Sequence, residues 1–121
     1  MKFSPIRGSL WLIKPGAASR IGVPKVRPWL ILQDDVFAAY EGRIACYLTS
    51  VANEQGKPKK VRDSQIPFTH KQRASYICCD SLYTIKNGEF LRHVGDIDAE
   101  TMIKVSIALH MVLGTSEIIL P

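Results

Sequence analysis

A chain of 121 residues has room for one hydrophobic core and not for two. Its content of 46% hydrophobic and 22% charged residues is ordinary for a globular domain. No stretch reaches the roughly 18 consecutive apolar residues of a membrane span, and the first ten residues do not resemble a signal peptide. We therefore expect a single cytoplasmic domain, residues 1–121, that has no contact with a membrane.

The net charge of +5 is unevenly distributed along the chain. Residues 1–74 hold 13 Lys or Arg against 5 Asp or Glu, a net of +8, whereas residues 75–121 hold 3 against 6, a net of −3. This asymmetry favours a polyanionic partner, with RNA as the first candidate. Uneven surface charge also arises by chance, so the asymmetry alone does not establish a polyanionic partner.

The first half of the chain predicts three strands, at Gly8–Lys14, Arg27–Gln33 and Arg43–Leu48. Residues 16–26 are small, basic and turn-prone, and predict an exposed loop. Residues 34–42 predict a short connection with room for one helical turn. All three strands are short and apolar, as in a small β domain.

The second half begins with a polar loop, residues 52–60, that carries three lysines. Val61–Phe68 predicts a weaker strand at a sheet edge, because it contains a proline. A strong strand follows at Ser75–Cys79 and leads into residues 80–85. Lys86–Gly88 predicts a turn, since Asn-Gly is the commonest tight-hairpin dipeptide.

One helix is predicted over Ala99–Leu113, with Asp98 as its N-cap and Gly114 at its end. Its apolar residues form two stripes, which indicates either a deeply embedded helix or a second stripe that meets a partner subunit. The stripes are Met102, Val105, Leu109 and Val112, and Ile103, Ile107 and Met111. Short strands followed by one late helix predict a mostly β (α+β) fold, a small β-barrel or strongly twisted sheet with a helix appended.

The three cysteines do not have the spacing of a metal site. Cys78 and Cys79 are neighbours on a predicted strand and point to opposite faces, and Cys46 stands alone. We expect buried, reduced thiols, with no metal and no cofactor.

The order of several short motifs resembles the MazF/PemK toxins of bacterial type II toxin–antitoxin systems, closer to the PemK branch. The motifs are Gly8-x-Leu-Trp-Leu-Ile, Pro15-Gly16, Arg27-Pro-x-Leu-Ile-Leu, Leu48-Thr-Ser, Cys79-Asp-x-Leu-x-Thr-Ile and Val94-Gly95 before a terminal helix. The resemblance spans about residues 6 to 114. It implies an SH3-like β-barrel with a C-terminal helix, in the form of a homodimer. It also implies metal-independent, sequence-specific cleavage of single-stranded RNA (mRNA), neutralisation by a cognate antitoxin, and operator-DNA contact only through the antitoxin complex.

Carried over by position, the resemblance implies that Arg27 contacts the scissile phosphate, that Thr49 and Ser50 line the same pocket, and that Asp80 is a candidate base. The chemistry is consistent, because a fixed arginine stabilises charge on a phosphate and a partly desolvated carboxyl is a better base. Blander interpretations remain open: a solvated strand-end arginine, hydroxyls that satisfy the local backbone, and a turn aspartate.

The sequence departs from the family pattern at the general acid and base. Residues 16–20 contain neither an acid nor a histidine before the Arg-Pro element, and Cys78 and Ser81 replace the arginine and glutamine that flank the aspartate in the family. His70 is the candidate for a replacement acid, although surface histidines are more common than catalytic ones.

Basic residues surround two flexible segments beside this site and suit contact with a single-stranded backbone. They are Lys57, Lys59, Lys60, Arg62, His70, Lys71 and Arg73. Trp29 or Tyr47 offers a stacking face, or else both belong to the core. Two other functions stay open: a CcdB-like poison of a protein target, and an inactive relative that binds only antitoxin or DNA.

Overall fold

The computed structural model of the protein describes residues 5–115. Six strands and two α-helices follow one another, with a 3₁₀ turn before the third strand and another before the sixth. The strands are β1 (Ser9–Ile13), β2 (Trp29–Ile31), β3 (Gly42–Ser50), β4 (Gln65–His70), β5 (Arg73–Lys86) and β6 (Phe90–Asp96); the helices are α1 (Pro15–Arg20) and α2 (Ala99–Leu113); the 3₁₀ turns are Asp35–Phe37 and Asn87–Glu89. Among these residues, no helix is long and apolar enough to cross a membrane.

The six strands form one antiparallel sheet in the order β4-β5-β3-β2-β1-β6. The long β5 strand pairs with β3 along most of its length and with β4 at its beginning. The two edge strands approach each other where the His70 ring, at the end of β4, hydrogen-bonds the Val94 carbonyl of β6 at 3.0 Å. The fold agrees with the predicted mostly β class, but a side-chain bond, and not a backbone ladder, joins its two edges.

Alternate strand residues face two apolar clusters, as the two-residue period of a strand requires. On β1 and β2, Leu10 and Leu30 pack beneath α2, whereas Trp11 and Trp29 face the opposite side of the sheet. Cys46 and Cys79 lie in the cluster beneath α2. All three cysteines are free and buried, as predicted, and burial raises the pKa of the Cys78 thiol.

Helix α2 has the predicted bounds and caps. The Asp98 carboxylate accepts hydrogen bonds from the Thr101 amide at 2.9 Å and the Thr101 hydroxyl at 2.7 Å, which lower the pKa of Asp98. Gly114 ends the helix at φ 67°, a left-handed conformation that glycine adopts without strain.

The two predicted stripes of α2 have different environments. Val105 is buried, and Met102 and Leu109 pack against the same cluster. The second stripe is largely exposed: Ile103 by 62%, Ile107 by 57% and Met111 by 65%. The helix is therefore not deeply embedded, and its second stripe is open to contact with a partner subunit.

One local prediction was wrong, one turn was found with a different geometry, and one strand was missed. Residues 16–26 are not a loop throughout, because α1 buries two alanines (Ala17 and Ala18) and begins with Pro15 at a position where proline fits a helix. The turn predicted at Lys86–Gly88 is present as the 3₁₀ turn Asn87–Glu89, but it does not close a tight hairpin, since β5 and β6 do not pair. Strand β6 was not predicted.

Candidate nucleic-acid interface

A cleft of about 700 Å³ opens where the entry to β2, the end of β3, the β4–β5 turn and β6 come together. Five cationic side chains and one histidine line it, and no carboxylate among the described residues does. The polar lining comprises Lys25, Arg27, Thr49, Ser50, His70, Lys71, Arg73, Ser75 and Arg92. A cleft of this charge attracts an anionic ligand.

Arg27 enters the cleft from the segment before β2, next to Pro28, whose ring restricts the backbone. Its guanidinium carbon lies 4.6 Å from the centroid of the Tyr47 ring, a distance typical of a cation–π contact. The Nε atom is buried and has no hydrogen-bond partner among the described residues. A buried donor without a partner is costly, so the described residues leave one hydrogen bond of this cation unmet beside the cleft.

Thr49 and Ser50 end β3 on the cleft wall. The Lys59 ammonium donates to the Thr49 hydroxyl oxygen at 2.9 Å, which leaves the hydroxyl proton available to a ligand. The Ser50 hydroxyl donates to the Ala52 carbonyl at 2.8 Å. Ser50 therefore satisfies the local backbone, the alternative left open by the sequence, while Thr49 remains a potential donor.

The β4–β5 turn projects two cations into the cleft. Lys71 and Gln72 adopt φ values of 48° and 66°, the left-handed conformations of a tight hairpin turn. Neither residue is a glycine, so this turn carries backbone strain. The turn places Lys71 and Arg73 beside His70 at the cleft.

His70 lines the cleft where β4 meets β6. Besides its bond to Val94, its ring lies so near β6 that a Cβ atom on Gly95 would be 3.0 Å from Nε2. A side chain at position 95 would therefore press on the His70 ring, which would have to shift by a few tenths of an ångström.

The remaining predicted residues lie outside the lining of the cleft. Asp80 contacts Arg62 at 3.4 Å, and the Ser81 hydroxyl lies 3.4 Å from Asp80 and 3.3 Å from the Tyr47 hydroxyl. Polar contacts thus link Asp80 to the ring beneath Arg27, but not to the cleft itself. Lys57 and Lys60 lie on the polar loop beyond Lys59 and do not line the cleft.

Two cleft cations were not predicted, Lys25 and Arg92. Lys25 lies two residues before Arg27, and the basic character of residues 16–26 was the only sequence feature that pointed to it. Arg92 lies two residues before Val94 on β6, so the same strand face holds both, but β6 itself was not predicted. Among residues 5–115, no group of three or more His, Cys, Asp or Glu side chains is placed to hold a metal ion.

The two aromatic candidates differ in exposure. Trp29 is 1% exposed and packs edge-on against Tyr47, with ring centroids 5.5 Å apart. Trp29 is therefore a core residue and cannot stack on a base. Tyr47 is half-buried, and Arg27 covers its ring.

Comparison with known proteins places the chain among toxins. A family model described as PemK-like, MazF-like toxin of type II toxin–antitoxin system matches residues 6–113. No curated protein sequence matched significantly.

Three solved structures illustrate the likeness in fold. An endoribonuclease in complex with its cognate antitoxin, from a mycobacterial species, has a TM-score of 0.72 at 20% identity over 93% of this chain and 97% of that one. MazE–MazF from Deinococcus radiodurans gives 0.70 at 19% identity over 94% and 99%. The Mycobacterium tuberculosis toxin MazF-mt6 gives 0.66 at 16% identity over 88% and 96%.

Proposed function

Because this chain belongs to the PemK-like, MazF-like toxins of type II toxin–antitoxin systems, we propose that it is an endoribonuclease that cuts single-stranded RNA. The observation that carries the proposal is Arg27, a positioned guanidinium whose buried Nε has no partner within residues 5–115, in a cleft that those residues line with cations and no carboxylate. The solved structures of similar fold include a protein named as an endoribonuclease. The substrate is a cellular mRNA, and the cut occurs at a short sequence.

The reaction proposed uses the RNA's own ribose. The 2′-oxygen attacks the adjacent phosphorus, and the 5′-oxygen leaves, so the products carry a 2′,3′-cyclic phosphate and a 5′-hydroxyl. Negative charge develops on the phosphate oxygens, where Arg27 donates two parallel hydrogen bonds and Thr49 a third. Ser50 shapes the wall beside them. No metal ion takes part.

The other cations bind the RNA backbone on either side of the cut. Lys71 and Arg73 line the cleft with His70, and Lys25 and Arg92 complete its wall. Lys57, Lys59, Lys60 and Arg62 extend the positive surface along the polar loop. A cationic groove of this kind binds phosphates of a single strand, whose bases remain accessible for sequence recognition.

The partners proposed follow from the family and from the exposed face of α2. The toxin forms a homodimer through Ile103, Ile107 and Met111, which are too exposed to contribute to the core. A cognate antitoxin neutralises it, and operator DNA is contacted only through that complex. The toxin and its antitoxin are both placed in the cytoplasm by this proposal. The solved relatives include one in complex with its cognate antitoxin.

The test is cleavage of a mixed-sequence single-stranded RNA by the purified protein in EDTA, with the same RNA annealed to its complement as the comparison. We expect cuts at a restricted set of sites in the single strand, little cutting of the duplex, and cyclic-phosphate ends by mass spectrometry. Arg27→Ala, purified identically, controls for contaminating ribonuclease. An intact single strand after prolonged incubation would instead support a protein-target poison or an inactive relative.

A further inference from the structure

In the part of the chain that the structure describes, no carboxylate lines the cleft of Arg27 and Thr49 to accept the proton of the attacking 2′-hydroxyl. Asp80, the base expected from the sequence, pairs with Arg62 outside the lining of the cleft. His70 does line the cleft, and a neutral imidazole has one ring nitrogen that can accept a proton. His70 is therefore the candidate proton acceptor in this cleft.

The hydrogen bond to Val94 determines which ring nitrogen of His70 can accept a proton. A backbone carbonyl only accepts, so the Nε2 atom at 3.0 Å from the Val94 oxygen must carry the hydrogen. In the neutral ring, Nδ1 then has a free lone pair. No other polar partner of this ring occurs among the described residues. The same bond and the side-chain-free position at Gly95 hold the ring in place between two strands.

The charged groups that face His70 are cations from each neighbouring segment. The connection to β2, the β4–β5 hairpin and β6 contribute Lys25, Arg27, Lys71, Arg73 and Arg92. On the proposed function, these cations would bind the phosphates on either side of the scissile bond, and the ribose between them would lie in the same cleft as the imidazole. Within residues 5–115, the lining of the cleft offers no carboxylate that would pair with the histidine's Nδ1.

We propose that His70 is the general base of this toxin, acting through Nδ1; the proposal rests on the proposed ribonuclease function. Nδ1 takes the 2′-hydroxyl proton as the O2′–P bond forms and the P–O5′ bond breaks. A solvent water protonates the departing 5′-oxygen. The imidazolium then returns its proton to solvent, so the enzyme is regenerated without a metal or a redox partner.

The first test replaces His70 by glutamine, whose amide can still donate to the Val94 carbonyl. We expect kcat to fall about 10²–10⁴-fold with KM nearly unchanged, as is typical for loss of a general base. The wild-type rate should rise with pH across the acidic limb as the imidazole loses its proton, and His70→Gln should lose that limb. His93→Gln is the matched control, because His93 lies on β6 and outside the lining of the cleft.

A second variant separates proton transfer from a structural role. His70→Gly leaves space for added imidazole, which should restore cleavage in proportion to its concentration. An RNA with a 5′-sulfur leaving group departs without help from an acid but still needs a base at the 2′-hydroxyl. If His70 is the base, this substrate should therefore not rescue His70→Gln. Full rescue by the sulfur substrate would assign His70 as the acid and overturn the proposal, as would a wild-type pH profile in His70→Gln. If the wild-type protein itself cuts no RNA, the proposed function fails, and not this assignment alone.

Discussion

Replacement of Arg27 by alanine should separate catalysis from folding, because the structure predicts a large loss of cleavage rate and a small change in the free energy of unfolding. Loss of the cation–π contact with Tyr47 costs about 0.5–1 kcal/mol of stability. The same substitution removes a buried unpaired Nε, a defect that costs about 1–3 kcal/mol. These effects oppose each other and the second is at least as large as the first, so the free energy of unfolding should not fall and should rise by about 0–2.5 kcal/mol.

The effect on cleavage should be far larger. One preorganised donor to a developing oxyanion contributes about 10²–10³ in rate, or about 2.7–4 kcal/mol of barrier. Arg27→Lys should recover little of this, because an ammonium cannot donate the parallel pair of a guanidinium. Initial rates on a fluorogenic RNA and thermal melts would be measured together. Lys104→Ala, which removes one exposed charge from α2, is the control.

Two outcomes would refute this reasoning about Arg27. Wild-type cleavage by Arg27→Ala would mean that the phosphate binds elsewhere. Loss of cleavage with a fall in melting temperature of about 5 °C or more would mean that the guanidinium supports the fold and that its Nε is satisfied by contacts within the protein.

Three further predictions concern charge and assembly. Asp80→Asn should reduce cleavage less than about tenfold, since Asp80 pairs with Arg62 outside the cleft, and a 10²-fold loss in initial rate would restore it as the base. Ile107→Glu should convert a dimer to a 13.5 kDa monomer by light scattering, and an unchanged mass would exclude this face as the interface. Glu89→Gln should lower the melting temperature most near neutral pH. The hydrogen bond from Arg20 lowers the pKa of Glu89, so the stabilisation by this carboxylate is present at neutral pH and is lost only as the pH falls through the lowered pKa. A difference between wild type and Glu89→Gln that does not shrink in melts at falling pH would contradict that linkage.

The sequence was sufficient wherever a local pattern coincides with the final environment. Helix α2 carries its own start and stop signals, Asp98 and Gly114, and both act as predicted. The central strands are continuous apolar runs, so their positions followed from period and composition. The Arg27-Pro28 pair placed a rigid cation at a strand entry, and the structure puts it in the cleft.

Elements stabilised by distant contacts escaped prediction. Helix α1 has six residues, too few to be stable alone, and Arg20 of α1 binds Glu89, 69 positions away. Strand β6 buries only Phe90 fully, so it lacks a clear alternating pattern. Its pairing with β1 provides the stability that its own composition does not.

The composition of the cleft was decided by the tertiary structure alone. Segments around residues 25–28, 48–52, 70–75 and 92–94 meet because the antiparallel register and the curl of the sheet bring β4 to β6. That same register leaves Asp80 outside the cleft and brings His70 and Arg92 into it. A sequence specifies which side chains are present, but their spacing across non-adjacent strands depends on backbone pairing, and so does the chemistry that they perform together.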